Sequence, residues 1–172
     1  MTLPDGVRSF ERMGSASGCR FGIVAGRFYS EVVSSLVDAA VATLLEAGAA
    51  EDDITVVWVG GAVELPLLCK RLARTSREQG RPYDALLAMG CVIRGGTPHF
   101  DYVCDMVADG VSRVALDEDI PVSFGVLTCD NPQQAFARSG LPTTEAKVKV
   151  NKGKEAALAA LEMVSLLKQL QE

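Results

Sequence analysis

The chain's single histidine, His99, follows Ile93-Arg94-Gly95-Gly96-Thr97-Pro98, and this run holds the densest chemical signal in the sequence. Two adjacent glycines let backbone N–H groups approach a ligand closely; Thr97 can cap a following helix, and Pro98 suits that helix's first position. An anion seat and an acid–base group are therefore expected side by side. His99 falls in the first helical turn, beside the expected anion seat, where an imidazole is available as an acid–base group. A lone histidine is more often a surface or capping residue, but the Gly-Gly-Thr-Pro context tilts the reading toward a site.

Two other loops share this strand-to-helix layout. Gly60-Gly61-Ala62-Val63-Glu64-Leu65-Pro66 puts Glu64 where it can accept hydrogen bonds from a polyol or amine, the plainer reading being a carboxylate that complements the helix dipole. Gly26-Arg27-Phe28-Tyr29 supplies an aromatic face on which a flat heteroaromatic ligand can stack, or which simply packs over the sheet edge. Farther on, Arg138, Lys147, Lys149, Lys152 and Lys154 cluster. One of them can hold a phosphate, while most of this charge is solvated surface.

The elements that must position these loops are legible as alternation. Apolar runs at Phe21–Ala25, Ile54–Val59, Ala85–Val92 and Val122–Leu127 read as strands buried on both faces. Between them, Val32, Val33, Leu36, Val37, Ala40, Val41, Leu44 and Leu45 mark a helix that stops at Gly48, and Leu65, Leu68, Cys69 and Leu72 mark a second with Pro66 in its first turn. A third runs from about Pro98 to Leu116, Pro132 opens a short fourth, and Lys154 to Leu170 form a long fifth that is nearly apolar around its circumference. Right-handed crossovers then give an α/β fold, a three-layer α/β/α sandwich on a parallel four-stranded sheet of flavodoxin-like type, with ligands at the carboxyl ends of the strands. Residues 1–19, ending in Gly14-Ser-Ala-Ser-Gly18, read as an N-terminal arm, and 20–172 as a single domain.

Composition narrows the partners. A chain of 172 residues buries roughly 70% of its unfolded surface, enough for a real core. With 48% apolar residues and a net charge of -5 it reads as a soluble protein, and nucleic acid is not an expected partner. Five scattered cysteines without C-x-x-C spacing indicate reduced thiols, and one histidine supplies a metal poorly. No apolar run is long enough to span a membrane and the opening residues lack a signal-peptide core, so the expected location is the cytoplasm.

Taken together, the Ile93–Val103 segment, Val59–Pro66, the strand Pro121–Thr128, Gln134–Gly140 and Asn151-Lys152-Gly153 resemble the lumazine synthase family of riboflavin biosynthesis, the likeness running from about residue 20 to 163. The resemblance implies condensation of 5-amino-6-(D-ribitylamino)uracil with 3,4-dihydroxy-2-butanone 4-phosphate, releasing phosphate and water, with no cofactor and no metal. Carried over by position, Phe28 would stack on the pyrimidine, Ala62, Val63 and Glu64 would hold the ribityl chain, and Cys91, Val92 and Ile93 would contact the uracil edge. Phe124 would close the pocket from a neighbouring subunit. Gly96, Thr97 and Arg138 would bind the phosphate, His99 would shuttle protons, and Lys152 would lie near the same pocket.

Three positions depart from the family's usual pattern: Tyr29 stands for Asn, Gly60 for Pro and Val63 for an aromatic. Twelve residues, Ser139 to Val150, separate Arg138 from Asn151, a long connection that within the family accompanies free pentamers. A homopentamer with sites between adjacent subunits is therefore expected over a sixty-subunit icosahedral shell. The resemblance also leaves room for an association with riboflavin synthase. The alternatives are a lumazine- or flavin-binding scaffold with weak or no turnover, and a flavodoxin-like electron carrier, for which the chain lacks a Thr/Ser-rich phosphate loop after the first strand.

Overall fold

A computed structural model describes residues 8–10, 15–143 and 150–171. Four strands, β1 (Phe21–Gly26), β2 (Ile54–Val59), β3 (Ala85–Ile93) and β4 (Val122–Cys129), form one parallel sheet in the order β2-β1-β3-β4. Helices α1 (Ser30–Glu46), α2 (Leu65–Glu78), α3 (His99–Asp117), α4 (Pro132–Ser139) and α5 (Lys152–Gln171) alternate with them, and two 3₁₀ turns, Glu51–Asp53 and Ala62–Glu64, flank β2.

Parallel strands need crossovers, and the crossovers place α1, α4 and α5 on one face and α2 and α3 on the other, giving the expected α/β/α sandwich. Its core is accordingly in two layers. Ile23, Leu87 and Met89 pack with Leu36 and Leu44 of α1 and Ala157 and Leu161 of α5, while Val24, Leu86 and Ala88 pack with Leu65 and Cys69 of α2 and Val107 and Val111 of α3. Each fully buried aliphatic side chain contributes about 1.5–3 kcal/mol.

Burial on both faces holds for β1 throughout and for most of β3, but not for all four strands. β2 is half-buried along its whole length, because it is an edge strand paired only with β1. β4, the other edge, exposes Phe124 and Thr128. An apolar run signals a strand without saying whether a neighbour lies on both sides.

Helix α5 begins two residues before the apolar stripe suggests. Asn151 is the reason: its Oδ1 accepts the Gly153 N–H at 2.9 Å, capping the helix, while its Nδ2 donates to the carbonyls of Ser139 at 2.8 Å and Ser35 at 3.1 Å. Ser35 Oγ also donates to the Ser139 carbonyl, at 2.6 Å. One side chain thus ties α1, the end of α4 and the start of α5 together. A Cβ on Gly153 would collide with the Leu36 carbonyl, so the helices cross here only because that residue is glycine. The buried side of α5 is small in its first turns, Gly153, Ala156, Ala157 and Ala160, and larger after them, Leu161 and Val164, whereas Met163 and Leu170 are exposed.

Packing starts earlier than Arg20. Ala16 and Cys19 are buried in the α1/α5 core layer, and Ala16 N–H donates to the Ala47 carbonyl at 2.8 Å. Residues 1–7 and 11–14 of the arm, half of the Ser139–Val150 connection (144–149), and with it Lys147 and Lys149, lie outside the described residues. Among the described residues no helix is long and apolar enough to cross a membrane.

Candidate active site

At the carboxyl ends of β1, β2 and β3 the loops enclose a cavity of about 310 Å³. Phe28 and Tyr29 come from the β1–α1 junction, Gly61, Ala62, Val63 and Glu64 from the turn after β2, Cys91, Val92 and Ile93 from the end of β3, and His99 and Val103 from the start of α3. Nine residues singled out in the sequence meet here, counting Phe28, the three of the β2 turn, the three of β3, His99 and the neighbouring Tyr29.

Phe28 is 69% exposed, and its ring lies against the backbone of Gly61, where an added Cβ would come within 3.2 Å of Phe28 Cδ2. Gly26 is equally close, since its Cβ would sit 3.2 Å from the Gly61 carbonyl carbon. The two glycines bring the β1 and β2 loops together and leave one face of the Phe28 ring open for stacking.

Glu64 fulfils part of its plainer reading. Its Oε2 accepts the Gly61 N–H at 2.8 Å, closing the 3₁₀ turn that leads into α2. That bond also fixes the carboxylate in the cavity wall. Cys91 is buried, and burial, with the nearby Cys129 adding to it, pushes its thiol up to about 12. It is a neutral wall residue rather than a nucleophile.

His99 is the first residue of α3, exposed and lining the cavity, as its position after Pro98 suggests. The cap does not follow the sequence reading. Pro98, in helical conformation, occupies the N-cap position, and Thr97 makes no side-chain cap bond. The turn is held instead by Arg94. Its guanidinium bonds Asp101 at 3.0 Å and Asp130 at 3.0 Å and stacks over Phe100 at 4.2 Å from the ring centroid. Hydrogen bonds that the guanidinium donates to Asp101 and then Asp130 hold Arg94 above its ordinary value, so it is a permanent cation. This clamp ties the 94–101 turn to the end of β4. Sequence reasoning missed it because Asp130 lies 36 positions from Arg94.

The remaining expected substrate contacts lie elsewhere. A second cavity, of about 410 Å³, runs along β4 and the start of α5 and is lined by Phe124, Arg138, Lys152 and Glu155. Lys152 Nζ pairs with Glu155 at 2.6 Å, and Arg138 Nη1 donates to the Gln134 carbonyl at 3.2 Å. The two cavities share no lining residue, and Gly96 and Thr97, both exposed, line neither. One chain therefore does not gather the whole constellation into a single cleft. The ring-stacking and histidine half lies at the β1–β3 strand ends, and the cationic half lies on the β4 edge.

A third cavity, of about 250 Å³, opens at the amino ends of the strands beside Asp84 and Glu118. Its cations are already paired, Arg77 with Glu118 at 2.8 Å and Lys168 with Asp84 at 3.4 Å, and it faces away from the end where open α/β sheets bind ligands.

Comparison with known proteins identifies the family. Residues 18–168 match the family described as 6,7-dimethyl-8-ribityllumazine synthase. Proteins of that name from two strains of Clostridium kluyveri are each 44% identical over 165 residues, covering 96% of this chain and 100% of the relative. A family match over most of the chain and 44% identity over the full length of the relatives show that the chain belongs to the lumazine synthase family, transferases of riboflavin biosynthesis.

Proposed function

We propose that this protein condenses 5-amino-6-(D-ribitylamino)uracil with 3,4-dihydroxy-2-butanone 4-phosphate to 6,7-dimethyl-8-ribityllumazine, releasing phosphate and water. The observation that carries the reading is the Phe28, Glu64 and His99 wall of the first cavity, a stacking face, a fixed carboxylate and an imidazole around a space fit for one flat ring and its side chain. Phe28 stacks on the pyrimidine, Ala62, Val63 and Glu64 take the ribityl chain, and Cys91, Val92 and Ile93 meet the uracil edge through their backbone. His99 relays protons during Schiff-base formation, phosphate elimination and ring closure. The amine and carbonyl are intrinsically reactive, so holding them together supplies most of the acceleration.

The phosphate is taken by Arg138, with Gly96 and Thr97 at the turn and Lys152 alongside. Because Arg138, Lys152 and Phe124 line a different cavity from His99, this reading requires the β4 edge of one copy to meet the β1–β3 strand ends of the next. A cyclic homopentamer of single-domain subunits in the cytoplasm satisfies that requirement, with the exposed Phe124 closing the neighbour's pocket.

The direct test mixes purified protein with both substrates and follows the lumazine absorbance, which should appear only when both are present. A protein that instead purifies with a bound yellow ligand and forms no product would be a carrier built on the same frame.

A further inference from the structure

Tyr29 is the residue of the first cavity that local structure does not account for. It stands at the N-cap of α1 with φ 54° and ψ 51°, in the left-handed region, and makes no side-chain cap bond. An N-cap normally has extended backbone and a short side chain that bonds the helix's free N–H groups, and a bulky aromatic at positive φ is a conformational outlier. The core does not require the ring either, since Tyr29 is 46% exposed. Among the described residues its hydroxyl has no hydrogen-bond partner. Glycine or asparagine would satisfy the backbone at lower conformational cost.

Tyr29 does line the first cavity, together with Phe28 and the exposed Val63. Strain that persists beside a cleft and has no local compensation points to function. We propose that Tyr29 is a specificity-determining residue that supplies a second aromatic contact to the heteroaromatic ring, with Phe28 providing the first. This deepens the reading of the reaction given above and rests on it for the identity of the ring.

An aromatic contact of this kind changes affinity by about 2- to 12-fold. Tyr29→Asn should therefore weaken equilibrium binding of 6,7-dimethyl-8-ribityllumazine, read by its fluorescence, by about that factor, and raise KM for the ribitylaminouracil while leaving KM for the butanone phosphate unchanged. Tyr29→Phe should stay within about twofold of the parent, because the ring rather than the hydroxyl carries the contact. Relief of the left-handed strain should at the same time raise Tm of Tyr29→Asn by about 2–4 °C. A residue kept for folding or for assembly would show the reverse, a lower Tm or a smaller particle on sedimentation with ligand affinity intact.

Unchanged lumazine affinity in Tyr29→Asn, or a fall in its Tm, overturns the proposal. Because the binding measurement needs no turnover, a parent protein that binds lumazine through Tyr29 but forms none from the two substrates would refute the reaction and leave the role of Tyr29 standing.

Discussion

If His99 and Arg138 serve one reaction from two different copies, variants damaged at either residue should repair each other. His99→Ala should slow turnover by about 10²-fold, near the low end of acid–base contributions. Arg138→Ala removes a charge-assisted bond to phosphate, and because the side chain is exposed the loss should be about tenfold in KM for the butanone phosphate. Measured well below that KM, the two variants should then run at about one hundredth and one tenth of the parent rate. In a ring where each site takes its His99 half from one copy and its Arg138 half from the next, an equimolar co-refolded mixture makes about one junction in four with both halves intact. The mixture should recover slightly more than about one quarter of the parent rate. Sites contained within single chains would give only the average of the two variants, about one twentieth. The assay is the initial rate of lumazine absorbance after co-refolding, with sedimentation showing that the mixture assembles like the parent. A rate at the average, in fully assembled particles, would refute the split site.

Other consequences follow from particular contacts. Arg94→Ala should lower kcat about tenfold by releasing the turn that presents His99, with little change in Tm, because exposed ion pairs contribute less than about 1 kcal/mol; Arg94→Lys should recover only part, since an ammonium cannot bridge both Asp101 and Asp130 while stacking on Phe100. Asn151→Ala loses the bonds to Ser35, Ser139 and Gly153 and should cost about 1–3 kcal/mol, seen as a lower thermal midpoint, with a rise in KM for the phosphate substrate through the neighbouring Lys152. Burial alone pushes Cys69 up to about 12, and chiefly burial does the same for Cys91, against an ordinary value of 9.0. Their contribution to stability is therefore complete below about pH 9 and is lost as pH rises toward 12, so alkaline unfolding should be shallower in Cys69→Ala. At pH 8, iodoacetamide should leave Cys91 unmodified and turnover unaffected.

Much of the frame is legible in the residues. Alternating apolar runs and helical stripes mark every strand and helix because burial imposes a period on the chain, and Gly-Gly-Thr-Pro-His marks its turn because those residue types suit a helix start beside a ligand. The misreadings have a common origin. The type and position of Thr97 suit a cap for α3, yet Pro98 takes the N-cap position and Arg94 supplies the restraint from a distance. Asn151 reads as part of a motif, but its knot joins Ser35, Ser139 and Gly153, which only the fold brings together. β2 is less buried than its apolar run suggests, because hydrophobicity does not distinguish a central strand from an edge.

By itself the sequence determined the parallel α/β frame, the family, and the three loops that carry a ring face, a carboxylate and a histidine, since each of these is written within a few consecutive residues. Tertiary structure alone decided that Phe124, Arg138 and Lys152 open on a different cavity from His99, that Arg94 holds the histidine's turn, and that Tyr29 carries a strained backbone. The physical reason is range. Local propensity and periodicity act over a turn or a strand, whereas which loops share a cleft depends on the order β2-β1-β3-β4 and on the crossovers that set it.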